Sequence, residues 1–371
     1  PIIGNLGGSI LGPTNPPREA ENPDIMVPPR TDYGTLPNYR WSFADSHMRI
    51  EEGGWARQTT IRELPTATTI AGVNMRLKAG GVREMHWHKE NEWSYMLKGK
   101  ARITAIDQDG RTFQDDVNEG DLWYFPAGLP HSIQGIGEDG CEFLLVFDDG
   151  HFSEDSTFLL TDWLAHTPKD VLAKNFGVSE SAFAKIPEKE LYIFQSKVPG
   201  PLSRDKVAGN GPMPFPLSHR MLAQEPLRTR HGTVRITDST NFPASKTIAA
   251  ALVEVEPGGM RELHWHPNGS EWQFYISGEA RMTVFASEGV ARTFNFQAGD
   301  VGVVPFPMGH YIENIGSTTL RFLEIFKSDH FADLSLAHWL AFTPHELVRA
   351  HLNIDESVLA KIPPRKTPVV G

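Results

Sequence analysis

The sequence predicts an all-β protein built as two barrels in tandem, each closed by a short helical tail. Three observations lead there. His86, His88, Glu92 and His131 recur 178 to 179 residues later as His264, His266, Glu271 and His310, so the chain is an internal duplication. Short apolar or alternating runs, such as TIAGVNMRL, WSYMLKGKARITAI, DLWYFP and CEFLLVFD, are separated by Gly, Asp and Pro turns in the manner of a barrel or sandwich. The length of 371 residues suffices for two cores of ordinary size.

In chain order, residues 1–45 are Pro-rich, with PTNPPREAENPD, and read as an irregular N-terminal arm. Residues 46–195 form the first barrel and its tail, TDWLAHTPKDVLAKNF. Residues 196–227, including SKVPGPLSRDKVAGNGPMPF, read as a linker, and 228–371 form the second barrel with its tail, SLAHWLAFTPHELVRAHL. In both tails Thr-Pro ahead of an acidic residue signals a helix start. REMHWH against RELHWH, DWLAHTP against HWLAFTP, and AKIP twice extend the repeat over most of the chain.

The formal charge of −11, with no basic tract, argues against nucleic acid or an anionic membrane as partner. A small anionic substrate must then be held by local positive charge from a metal and arginine. The single cysteine, Cys141 in CEFLLVF, excludes an intramolecular disulfide framework and reads as a buried strand residue. No run of 18 apolar residues predicts a membrane-spanning helix. A chain beginning at Pro1 fits a processed or truncated product, and an extracellular location is expected over a cytoplasmic one.

Each histidine pair has the spacing of a metal site. Residues i and i+2 lie on one face of a strand, so the two imidazoles of His-x-His converge. A lone pair of this kind is usually surface or core histidine; two copies, each with a nearby acid and a distant third His, are not explained that way. Imidazole and carboxylate without thiolate suit Mn, Fe, Ni or Zn. Three neutral His and one Glu leave positions open for exogenous ligands on a six-coordinate ion.

Gly80, His86, His88, Glu92 and Gly99 match the first cupin motif, as do Gly258, His264, His266, Glu271 and Gly278. Gly120, Pro126, Gly128 and His131 match the second, with Gly135 where Asn is usual; Gly299, Pro305, His310 and Asn314 match it again, with Pro307 where Gly is usual. From about residue 30 onward the chain resembles the bicupin oxalate decarboxylases. That resemblance implies two double-stranded β-helix (jelly-roll) barrels, manganese at two sites per chain, and dioxygen as a co-catalyst without net consumption. It implies radical decarboxylation of oxalate to formate and carbon dioxide by a homohexamer.

The two copies differ in ways that bear on chemistry. After the third His, the first repeat carries three extra residues within Ser153-Glu154-Asp155-Ser156-Thr157. A polar loop following a barrel strand can fold over a metal as a lid, or be a plain surface loop. The resemblance makes Glu154 the proton-transfer residue. It also gives a bacterial lid of Ser-Glu-Asn-Ser, so Asp155 sets a second carboxylate beside Glu154, which is expected to raise its pKa and alter closure. Position 145 is Leu, whereas its counterpart is Glu324 in FLEIF; a Glu in an apolar strand must be paired, hydrogen-bonded or neutral, so it is expected to face the second pocket. Arg83 and Arg261 each precede the first ligand His by three residues, which needs a bulge if they are to share the ligand face. The resemblance has this Arg hold the substrate carboxylate.

Trp87 and Trp265, between the paired His, point to the opposite face as packing or interface aromatics. The sequon Asn268-Gly269-Ser270 lies in the second ligand loop and is discounted. Two other functions compete with decarboxylation: a bicupin oxalate oxidase giving carbon dioxide and hydrogen peroxide, and a non-catalytic storage-type bicupin. Two intact metal shells disfavour the latter.

Overall fold

Where turn residues bound an apolar run, a strand forms. Ala71–Leu77, Gly81–Trp87, Glu92–Ile106, Leu122–Phe125, His131–Gly135 and Cys141–Phe147 pair antiparallel as the first barrel. The structure, a computed structural model, describes residues 15–21 and 28–371. The 15-residue strand Glu92–Ile106 is long enough to serve both walls, meeting Cys141–Phe147 along its first half and Thr112–Asn118 and His131–Gly135 along its second. In the second barrel the same path is split at Gly278 into Glu271–Ser277 and Glu279–Phe285, which enter a seven-stranded and a six-stranded sheet.

The tails are helical as expected. Lys169–Phe176 begins after Pro168 and ends at Gly177 in the left-handed region; His345–Leu352 begins after Pro344 and ends at Asn353, also left-handed. Among the described residues no helix is long and apolar enough to cross a membrane. Cys141 is buried.

The barrels are not two beads on a string. One hydrophobic cluster contains Val73, Leu145 and Phe43 together with Trp272, Leu323 and Ile325, so the first core continues into the second barrel. Gly72 lies on this seam: a Cβ there would come within 2.6 Å of the buried Trp272 ring, so a side chain cannot be added without moving a packed indole.

The arm and the linker depart from the sequence expectation. Prolines predict irregular structure for residues 1–45, yet Pro16–Glu21 is a short helix and Arg40–Ser42 adds a strand to Asp300–Val304 of the second barrel. Buried Arg40 reaches Asp300 at 2.7 Å, and Tyr33 forms a bridge with Ala291. That order comes from a distant partner, which local composition does not encode. The parts of the arm at 1–14 and 22–27 lie outside the described residues. Within the linker, Ser218–His219 pairs with Leu122–Phe125, tying the connection to the first barrel.

Candidate metal centres

The first three His and one Glu come from three strands and a turn. His86 is the penultimate residue of the strand Gly81–Trp87, His88 follows that strand, Glu92 opens Glu92–Ile106, and His131 opens the strand opposite His86. The second set repeats this on Met260–Trp265, Glu271–Ser277 and Gly309–Asn314. Within each set one ligand atom per residue lies within 4.8 Å of the others, and all eight residues are buried.

The donor atoms suit a cation. A carbonyl can only accept, so each Nδ1 that touches one carries the proton and leaves Nε2 with its lone pair. His86, His88 and His131 donate to Glu84 O (2.5 Å), Glu90 O (2.8 Å) and Leu129 O (2.7 Å). His264, His266 and His310 donate to Glu262 O (2.6 Å), Ala332 O (2.7 Å) and Met308 O (3.2 Å). In the second set Nε2 of all three His and Oε2 of Glu271 are buried without a hydrogen-bond partner among the described residues, though His266 and His310 lie only 2.9 and 2.8 Å from that oxygen. Lone pairs gathered so closely out of water need a shared cation. In the first set Ser94 and Trp123 donate to Oε1 of Glu92, which turns Oε2 toward the imidazoles.

Electrostatics point the same way. Burial, then the Arg83 guanidinium and the neighbouring rings, holds His86 well below the ordinary histidine pKa; burial and Arg261 do the same to His264. Burial also lowers His131. Against burial, the closeness of the His131 and His88 rings, 3.4 and 3.1 Å from Oε2, carries Glu92 far below the usual carboxylate range. His86, His131 and His264 kept neutral and Glu92 kept anionic are the protonation states that a divalent ion requires; His88 alone is raised, because without an ion it faces the Glu92 carboxylate.

Both arginines reach the ligand face by the expected bulge. Arg83 pairs with Ile133 and His86 with His131, three steps on one strand against two on the other; Arg261, Ile312, His264 and His310 repeat this. Here the symmetry ends. Arg83 Nη2 donates to Glu154 Oε2 at 3.0 Å and Nη1 to Tyr192 O at 3.4 Å, while its buried Nε has no partner among the described residues. Each nitrogen of Arg261 has a partner: Nε donates to Glu324 Oε1 at 2.9 Å, Nη2 to Asp333 Oδ2 at 2.5 Å and Nη1 to Pro368 O at 3.4 Å, and Lys366 also pairs with Asp333. Glu324 is thus paired within the second pocket, as its apolar strand demands.

The Ser153–Thr157 insertion is closed. Ser153 caps a single 3-10 turn, Glu154–Ser156, which buries Glu154 while Asp155 faces solvent. Glu154 Oε2 accepts from Arg83 and from the Tyr192 hydroxyl at 2.8 Å. The shorter loop of the second repeat does something else: Ala332 O holds the ligand ring of His266, so this loop is part of the shell.

Sequence reasoning missed Tyr192, Glu84, Asp333 and Lys366. Tyr192 is fully buried at φ 51, a backbone conformation that costs a bulky residue about 1–2 kcal/mol. Buried Glu84 holds it there, accepting from the N–H groups of Leu191 and Tyr192 at 2.9 and 2.8 Å and from Thr161 Oγ1 at 2.6 Å. Burial, then the charge of Glu154, pushes the Tyr192 phenol well above its ordinary pKa, so it remains a donor. Trp87 lies on the opposite face, stacked on Phe158 at 5.5 Å and edge-on to Trp163; Trp265 meets Trp339. Asn268 of the sequon donates to Ser328 and His330, an amide already engaged.

Comparison with known proteins agrees with this geometry. The cupin family model matches residues 43–182 and again 219–359. Oxalate decarboxylase OxdC of Bacillus subtilis is 60% identical over 371 residues, covering 100% of this chain and 96% of the relative. A probable oxalate decarboxylase of Arthroderma benhamiae is 45% identical, covering 98% and 91%. A solved structure of the Bacillus subtilis enzyme, studied for its Mn(II) centres, matches with a TM-score of 0.97 at 60% identity and covers 100% of this chain and 98% of that one. With two matching barrels, two intact shells and full-length relatives, the chain belongs to the cupin family and, within it, to the bicupin oxalate decarboxylases.

Proposed function

We propose that this protein is a manganese-dependent oxalate decarboxylase that turns over in its first barrel. The observation that carries the reading is the buried cluster of Arg83, Glu154 and Tyr192 beside His86, His88, Glu92 and His131, with Arg83 Nε unpaired among the described residues. The second barrel binds metal through His264, His266, Glu271 and His310 but has its arginine committed to Glu324 and Asp333.

When bound, manganese together with dioxygen supplies the one-electron oxidation on which cleavage of the oxalate carbon–carbon bond depends. The protein does the rest. Arg83 offers a fixed guanidinium donor to the substrate carboxylate, in a setting where little water competes. Glu154 accepts the proton of the oxalate monoanion and returns it to carbon as formate forms, the general base becoming the general acid. Tyr192, donating to Glu154 Oε2, holds that carboxyl in one orientation between the two transfers. The closed lid keeps water and further dioxygen from the carbon centre.

Incubation with oxalate in air, with formate, carbon dioxide and peroxide measured together, tests the reading. Formate and carbon dioxide in equal amounts are expected; peroxide in place of formate means an oxidase, and no product means a storage-type bicupin. Further parts of the proposal are a division into 46–195 and 228–371 joined by 196–227, a homohexamer, and an extracellular location. Exposed Phe158 and Trp163, both packed against Trp87, support assembly, since clustered aromatics on a surface mark interfaces. Sedimentation should give six times the chain mass, and fractionation of the producing cells tests the location.

A further inference from the structure

The lid has few ties to the barrel. Ser156 N–H donates to Ser153 O at 2.9 Å, Thr157 N–H to Glu154 O at 3.3 Å and Asp155 N–H to Ser153 Oγ at 3.3 Å, so these main-chain bonds close within the segment. Among the described residues, the lid's hydrogen bonds to the barrel are made at Glu154. One set runs through its carboxylate, to Arg83 and Tyr192. The other is its main-chain N–H, which donates to Gln58 Oε1 at 3.1 Å.

These ties differ in kind. The carboxylate contact with Arg83 is an ion pair, and it weakens when Glu154 holds a proton. The bond to Gln58 is indifferent to that proton. Gln58 is on Gly54–Thr59, a strand fixed in register against Ala71–Leu77 with Gln58 opposite Val73. Its side chain lines a cavity of about 280 Å³ with Arg49, Arg57, Glu154, Asp155 and Tyr192, and none of the four first-barrel metal ligands lines it.

We propose that Gln58 is a positioning residue, a latch whose side-chain carbonyl keeps the lid shut while the Glu154 carboxyl carries and delivers its proton. This rests on the decarboxylase reading. With the lid shut, one oxalate monoanion yields one formate and one carbon dioxide, and the proton moves from oxygen to carbon. With it open, one oxalate monoanion, one proton and one dioxygen yield two carbon dioxide and one hydrogen peroxide; oxalate loses two electrons and dioxygen gains them. Losing the latch therefore shifts product from formate toward peroxide.

The test uses full-length, manganese-loaded protein. Amide hydrogen exchange over residues 153–157 is followed without substrate, and formate and peroxide are quantified with it, for wild type, Gln58→Leu, Gln58→Ala and Gln58→Glu. Leu and Ala lack the acceptor, so exchange should quicken about fivefold, the effect of one neutral hydrogen bond, and the peroxide-to-formate ratio should rise. Glu keeps an acceptor oxygen and should leave the exchange near wild type. Equal manganese content in all four samples separates latch loss from metal loss. Unchanged exchange and product ratio in whichever of Leu or Ala is folded would overturn the latch. A wild type that makes no formate overturns the decarboxylase reading instead, and the exchange comparison still decides the latch.

Discussion

Buried His86 and His264 are held well below a pKa of 6.5, first by burial and then by the adjacent guanidinium, and His131 is lowered too. A depressed folded-state pKa means stability that is full above the unfolded value and lost as pH falls. His88 opposes them: burial lowers it, but its bond to Glu92, the charges of Glu92 and Glu154 and the Glu90 carbonyl together raise it, so its contribution is present below 6.5 and lost as pH rises above it. With three groups against one, metal-free protein should lose stability as pH drops from about 7 to about 5, seen as a falling urea midpoint. A flat profile contradicts this. The eight ligands are legible in sequence because coordination demands fixed residue types at strand spacing. Tyr192 is not: its contact with Glu154 spans 38 residues and depends on a left-handed backbone held by Glu84, which no motif announces.

At the scale of elements, turns hold the ligand strands in register. Gly80, at φ +80, precedes Gly81–Trp87, and a Cβ there would run into the carbonyl of Ser196. Gly258 holds the same place in the second repeat at the same φ but with open space around it. Gly80→Ala should therefore cost about 3 kcal/mol and Gly258→Ala about 1 kcal/mol in chemical unfolding, the first adding a clash to the backbone strain. Equal costs contradict the assigned contact. The glycines were readable from the motif, and the Arg-to-His bulge from the odd three-residue step. The lid was readable only as an insertion; its closure depends on where the side chains of Gln58, Arg83 and Tyr192 point, which spacing does not fix.

Across the whole molecule, duplication supplied two metal shells and divergence left one of the two guanidinium groups with an Nε that has no partner among the described residues. His310→Ala should lower manganese from about two to about one per chain, by elemental analysis, and leave the first barrel still producing formate. His131→Ala should lose both its metal and the formate. Formate lost with His310→Ala while the first site stays loaded contradicts turnover in the first barrel. Two tandem barrels followed directly from the repeat. The strand Arg40–Ser42 did not, because its partner Asp300–Val304 lies in the other barrel, and neither did the shared core across Gly72 and Trp272.

In the proposed reaction Glu154 moves the proton that makes formate. The decisive measurement is formate release by Glu154→Gln on samples shown to hold wild-type manganese, since Gln keeps the size of the side chain and cannot carry the proton. A fall of at least about 100-fold is expected, and formate production at the wild-type rate by the metal-replete variant would contradict it.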